Sequence, residues 1–305
     1  MALTRRSISP SPLAGNSLEG RRVLITGAAR GIGAALAQRL HERGALVAVA
    51  GLEPDLLEAV AAPLGAPWWN LDVTDRVAVD DVVDAAANQF GGLDVVVANA
   101  GVAAQLPIVG GDPSLMIRTH EVNVLGTYFT LRAAGRHIRH DRGYAVAVSS
   151  LAAAVHVPLL GAYSSSKAAV EAIGNTMRQE VRPSGARVGV AYFAELDTDM
   201  TSRGFGTEAA QAFLKGKSLT KVSPMHLGID ALERGIERRS RRIIAPRYVG
   251  PILPIRAVAQ HVVELASRRR IATVMEIAER EVVDLTTPQP APPTPSTDER
   301  SATER

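Results

Sequence analysis

The chain has 305 residues, 46% of them hydrophobic and 4% aromatic, with a formal net charge of +3. That length and apolar content can bury one large core, while the small charge and scarcity of stacking rings argue against a nucleic-acid surface. The absence of cysteine excludes disulfides, thiol catalysis and thiolate metal sites.

Residues 1–20 hold Arg5 and Arg6 with no apolar run after them, so they read as a flexible arm, not a secretory leader. From Arg21 the sequence alternates apolar, β-branched runs with longer amphipathic ones: RRVLITG, a helix over 31–43, ALVAVAG, a helix opened by Pro54, PWWNLDV and a helix over 75–90. The rhythm continues through LDVVVANAG, a helical region over 113–139, GYAVAVSS, a helix over 163–181 and ARVGVAYF. Such a βαβ series predicts an α/β fold, a doubly wound parallel sheet covered on both faces, over residues 21–248. The stretch 201–219 breaks the rhythm and reads as a substrate-facing insertion, before a helix over 223–238 and the strand RRIIAP.

Residues 249–285 predict a helical extension with apolar positions at Val258, Val262, Val263 and Leu265, packed on the domain or on a second subunit. Arg268 to Arg270 beside them leave a membrane-surface helix as the lesser alternative. Residues 286–305, rich in Pro, Ser and Thr, read as a disordered tail. The longest apolar stretches, 93–111 and 146–160, are interrupted by Asp94, Asn99, Gln105, Ser149, Ser150 and His156, so neither suits a lipid span and a cytoplasmic protein is expected.

At the first strand-helix junction stands Thr26-Gly27-Ala28-Ala29-Arg30-Gly31-Ile32-Gly33. Glycines there let the backbone turn sharply and approach a pyrophosphate, which the amides and dipole of a helix start attract. Tyr163 and Lys167 lie four apart in YSSSK, sharing a helix face with about 5–6 Å between their Cβ atoms. An ammonium so placed favours the phenolate and makes the pair a plausible acid and base.

TGAARGIG and YSSSK together resemble the short-chain dehydrogenase/reductase family, over about residues 20–245. The resemblance implies a Rossmann-like fold and a cofactor held by Gly27, Arg30, Gly31, Ile32 and Gly33, by Asp72 and Val73 after the third strand, and by Asn99-Ala100-Gly101 after the fourth. It further implies a catalytic tetrad of Asn123, Ser150, Tyr163 and Lys167, the serine thirteen residues before the tyrosine, with Ser149 in a structural role by register. Tyr163 would give or take the substrate oxygen's proton during hydride transfer, Ser150 would hold that oxygen, Asn123 would support a proton relay, and Lys167 would also bind the nicotinamide ribose.

Two departures stand out. The family's Pro-Gly after the sixth strand is replaced by Phe193-Ala194, although Thr198 keeps its place as a cofactor contact. At the end of the second strand Gly51 and Leu52 stand where an NAD enzyme carries an acid. With Arg30 available to a 2′-phosphate, NADP(H) is favoured, and Glu53 keeps NAD(H) open. Glu195, Asp197 and Asp199 read as solvated or helix-capping, and His137 with His140 as a solvated face, not a metal site.

The substrate is expected to be a small-molecule alcohol or ketone, apolar by the character of Leu151, Val155, Val157 and Leu159. Relatives of this kind pack into homodimers or homotetramers. The alternative function is a non-catalytic nicotinamide sensor or scaffold that kept the fold.

Overall fold

The computed structural model describes residues 18–198, 200, 207–214 and 222–289. Asp199, most of the expected arm, much of the 201–219 insertion and residues 290–305 lie outside them. The chain builds β1 (Arg22–Thr26), α1 (Gly31–Glu42), β2 (Leu46–Gly51), α2 (Pro54–Ala61), β3 (Trp68–Asn70), α3 (Arg76–Phe90) and β4 (Val95–Ala98). There follow α4 (Pro113–His120), α5 (Gly126–Ala134), β5 (Tyr144–Val148), α6 (Gly161–Glu180), β6 (Arg187–Phe193), α7 (Glu208–Leu214), α8 (Met225–Arg238) and β7 (Arg242–Ala245). The extension folds as α9 (Val249–Ile252), α10 (Arg256–Ser267) and α11 (Ile271–Ala278).

The seven strands form one sheet in the order β3-β2-β1-β4-β5-β6-β7, every neighbouring pair parallel. This is the doubly wound Rossmann-like arrangement that the alternation predicts. Strands such as VVVA in β4 are apolar at every position because both faces are covered. Val23, Ile25, Val95 and Val97 pack against Leu36 and Leu40 of α1 and Leu232 and Ile236 of α8. Their alternate neighbours Leu24, Val96 and Ala98 pack against Val79 and Val83 of α3, Leu131 of α5 and Val170 of α6. The topology reverses between β1 and β4, so the carboxyl ends of these two strands open a crevice.

The helical region expected over 113–139 is interrupted. Between α4 and α5, residues Glu121–Leu125 form a π turn centred on Asn123, a widening of the helix that often marks functional positions. The extension docks on the domain: Val249 and Leu253 pack with Val190 and Tyr192, and Val274 and Ala278 with Leu159, Ala210 and Phe213. Residues 286–289, which the sequence assigns to the tail, are also held against the body, Thr286 being buried. Among the described residues no helix is long and apolar enough to cross a membrane.

Candidate active site

At the mouth of the crevice the chain turns from β1 into α1. Gly27 has φ +65° and Gly31 φ +56°, a region that L side chains rarely adopt. A Cβ on Gly27 would stand 2.5 Å from Ala100 Cα, and one on Gly33 only 2.4 Å from the Gly27 carbonyl and 2.7 Å from Asn99 Nδ2. These two glycines therefore let the turn lie flat on the loop after β4. Gly31 differs: its Cβ would meet nothing within 4 Å and would fill the cleft that the residue lines. No side chain caps α1, which leaves its first amides to a ligand. Asn99 braces the turn, its amide donating to the carbonyls of Thr26 and Gly27 at 3.2 and 2.9 Å.

The end of the cleft beside β2 and β3 holds more charge than the sequence suggests. β2 ends at Gly51, and Glu53 stands at the start of α2, where its carboxylate pairs with the Arg30 guanidinium, Nε donating at 2.8 Å. Arg30 thus faces an acid across the very corner where the second-strand residue is Gly51. Asp72 lines the cleft while accepting from the Thr74 amide and hydroxyl at 2.9 and 2.8 Å and from Arg118 at 2.9 Å. Burial works to raise its pKa, but the Thr74 bonds and the Arg118 charge outweigh it and hold the carboxyl below the usual range. Ile32, Val73, Ala100, Gly101 and Thr198 line the same cleft.

Five side chains, those of Asn123, Ser149, Ser150, Tyr163 and Lys167, gather around the ends of β4 and β5 and the start of α6. Asn123 is fully buried in its π turn; its Oδ1 accepts from the Val102 amide at 2.8 Å, and its Nδ2 donates to the Val102 carbonyl and to Ser166 Oγ, each at 2.9 Å. Ser149 donates to the Lys167 carbonyl at 2.8 Å, locking the end of β5 onto α6. Ser150 caps the short turn that follows, accepting from the Ala152 amide at 3.1 Å, and is hydrogen-bonded to the Tyr163 hydroxyl. Lys167 Nζ donates to the Val148 carbonyl at 3.0 Å and lies 5.6 Å from the centre of the Tyr163 ring. Nζ also touches the loop after β4: a Cβ on Gly101 would be 3.2 Å from it and 3.2 Å from Asn123 Oδ1.

Burial sets the electrostatics. It raises the Tyr163 pKa above the phenol's ordinary value, the Ser150 bond pulling the other way, and it pushes the Lys167 ammonium down to about 8. The lowering of Tyr163 that the sequence suggests is therefore outweighed by desolvation.

The cleft has a volume of about 630 Å³ and continues from this cluster into an apolar end. Leu151, Val155, Val157 and Leu159 line it, and so does Phe193 at the end of β6. Tyr192 instead turns into the core beside Val249 and Leu253. Elsewhere His137 pairs with Asp84 at 2.7 Å, and His140 Nε2 lies 3.0 Å from the Leu93 carbonyl.

Several lining residues escape the sequence reading: Gln105, Thr286, Thr287 and Gln289, and the apolar row Ile255, Val258 and Val262 where the chain enters and follows α10. The row is visible as helical periodicity, but its partner is not. Val258 and Val262 remain 62% and 59% exposed, so they form the rim of the cleft, not part of the core.

A family profile described as short chain dehydrogenase matches residues 21–215. L-2,3-butanediol dehydrogenase of Corynebacterium glutamicum is 32% identical over 195 residues, covering 58% of this chain and 76% of that protein. Trans-4-hydroxycyclohexanecarboxylate dehydrogenase of Sinomonas cyclohexanicum is 33% identical over 197 residues, covering 60% and 76%. Among solved structures, a short chain dehydrogenase from Burkholderia cenocepacia J2315 in complex with NADP superimposes with a TM-score of 0.67 at 29% identity, over 75% of this chain and 97% of that one.

Proposed function

The chain belongs to the short-chain dehydrogenase family, and from that premise we propose that it transfers a hydride between NAD(P)(H) and the carbonyl or secondary alcohol carbon of an apolar substrate, with Tyr163 as acid and base. The carrying observation is the Tyr163 hydroxyl bonded to Ser150, with the Lys167 ammonium beside its ring, inside a cleft that also contains the glycine turn.

The nucleotide would be held by the turn 27–33, Asp72, Val73, Asn99 to Gly101, Lys167 and Thr198, and would supply or accept the hydride. Cofactor choice is contested at one corner, where Arg30 suits a 2′-phosphate and Glu53 suits a 2′-hydroxyl. Ser150 holds the substrate oxygen against Tyr163. At neutral pH the phenol, raised by burial, is protonated and ready to donate to a carbonyl oxygen. Lys167 then steadies the phenolate left behind, and Asn123 keeps the helix open beside it. Oxidation of an alcohol runs these steps backward and needs the phenolate first, so it is favoured at alkaline pH.

The apolar wall from Leu151 to Leu159, continued by Val258 and Val262, favours a hydrophobic ketone or alcohol. Nicotinamide absorbance followed over a panel of such compounds, with both cofactors, tests the reading. Tyr163→Phe is expected to bind cofactor like the unaltered protein and to lose about 10²–10⁴-fold in turnover; undiminished turnover would overturn the assignment.

A further inference from the structure

The loop that leaves β4 carries one wall of the cleft. Its chain is irregular, so its buried amides and carbonyls must find partners outside any ladder. Asn123 takes both polar groups of Val102. Ala103, fully buried, is met in the same two-sided manner by Thr286: the Thr286 hydroxyl accepts from the Ala103 amide at 3.0 Å, and the Thr286 amide donates to the Ala103 carbonyl at 3.0 Å. Thr286 arrives from 183 residues further along the chain, well beyond the match that ends at 215.

Its approach is secured at several points. Glu281 accepts from the amides of Glu208 and Ala209, the latter at 3.0 Å. Leu285 packs against the cluster of Ala104, Leu106 and Ala162. The segment 281–289 therefore crosses from α7 to the loop after β4, and Thr287 and Gln289 face the cleft beyond it.

We propose that Thr286 is a positioning residue for Lys167, acting through this loop. Asn123 fixes the loop from inside the domain and Thr286 fixes it from the extension. Gly101, two residues before Ala103, borders the Lys167 ammonium: a Cβ there would stand 3.2 Å from Nζ, so the place of the ammonium depends on where the loop lies. The assignment rests on the oxidoreductase reading, since a misplaced ammonium matters only if it serves Tyr163.

Three variants and one exchange measurement test it. Thr286→Val keeps the shape and the backbone bond but removes the acceptor, leaving the Ala103 amide buried without a partner. The expected result is about a tenfold loss of kcat with a smaller change in KM, a shifted alkaline limb of the pH profile, and faster amide exchange at residues 102–105. Thr286→Ser restores all three, and a chain ending at Gln289 behaves as the full one.

Wild-type kcat, pH profile and loop exchange in Thr286→Val would overturn the proposal. So would equal losses in the Val and Ser variants that merely track thermal stability. Failure of the oxidoreductase reading looks different: the full chain turns over no ketone or alcohol and does not quench or enhance NADPH fluorescence. The exchange rate at Ala103 then still decides whether Thr286 holds the loop, and an unshifted rate overturns the proposal by itself.

Discussion

One end of the cleft is lined by residues 27–33, 51–53 and 99–101, where glycines bring the main chain close; the other end is lined by residues of 151–159, α10 and 286–289. In the first region a missing Cβ does the work, because Gly27 and Gly33 pack where any side chain would collide and Gly31 leaves the space open. In the second, side-chain bulk does the work, with Leu151, Val155, Val157 and Leu159 lining the volume beside the polar Thr287 and Gln289. The contrast teaches that a ligand common to a family can be held by main chain, which tolerates drift in the surrounding residues, whereas a substrate particular to one protein must be recognised by what varies.

The sharpest way to break that contrast is at the junction of the two regions. Lys167→Met should lower turnover by about 10²–10⁴-fold while making the fold more stable at neutral pH. Burial depresses the Lys167 pKa to about 8, against an unfolded value of about 10.4. Below pH 8 both states hold the proton and the buried charge is a constant penalty. Between about 8 and 10.4 the unfolded chain holds more protons, so stability contributed by this group rises with pH, and it is lost again as pH falls through 8. Denaturant unfolding should therefore favour the Met variant at pH 7 by about 1–3 kcal/mol, less the bond to Val148, and the gap should narrow by pH 9.5. A Met variant less stable at pH 7 than at pH 9.5, relative to the unaltered chain, would contradict the account.

Gly33→Ala probes the backbone half alone. Its new methyl would overlap the Gly27 carbonyl, an overpacking worth about 1–3 kcal/mol, which a titration of NADPH fluorescence should register as about a 10- to 100-fold weaker complex. Ordinary affinity would mean that the turn does not hold the nucleotide. The mildest test sits at the charged corner. Glu53→Gln removes the acid facing Arg30, and the ratio of kcat/KM for NADP(H) over NAD(H) should rise by about 2- to 5-fold, the scale of a partly exposed charge pair. A rise owed wholly to weaker use of NAD(H) would assign the corner to the 2′-hydroxyl, and an unchanged ratio would remove Glu53 from the choice.

The first half of the cleft and the order of its strands are legible in the residues, since glycine at a strand-helix junction and alternating apolar runs are local signals. YSSSK is local too, and so is the serine at the end of β5. The π turn is harder: nothing in EVNVLG distinguishes a widened turn from an ordinary one without the resemblance, because its cause is Asn123 meeting Val102 across 21 residues. The Arg30–Glu53 pair, the place of α10 on the rim of the cleft and the Thr286 contact are illegible for the same reason. They depend on which surfaces the topology brings together, and even the helical periodicity of Val258 and Val262 names no partner.

The lateness of Thr286 also gives the site an order of assembly during synthesis. The sheet's central crossover and the glycine turn lie within the first hundred residues, and Leu232 and Ile236 of α8 close the face behind them. Thr286, on the wall beside Lys167, follows only after α8 and the extension. On the roles proposed above, a nick between α11 and Thr286 should leave nucleotide capture intact and loosen the wall beside Lys167.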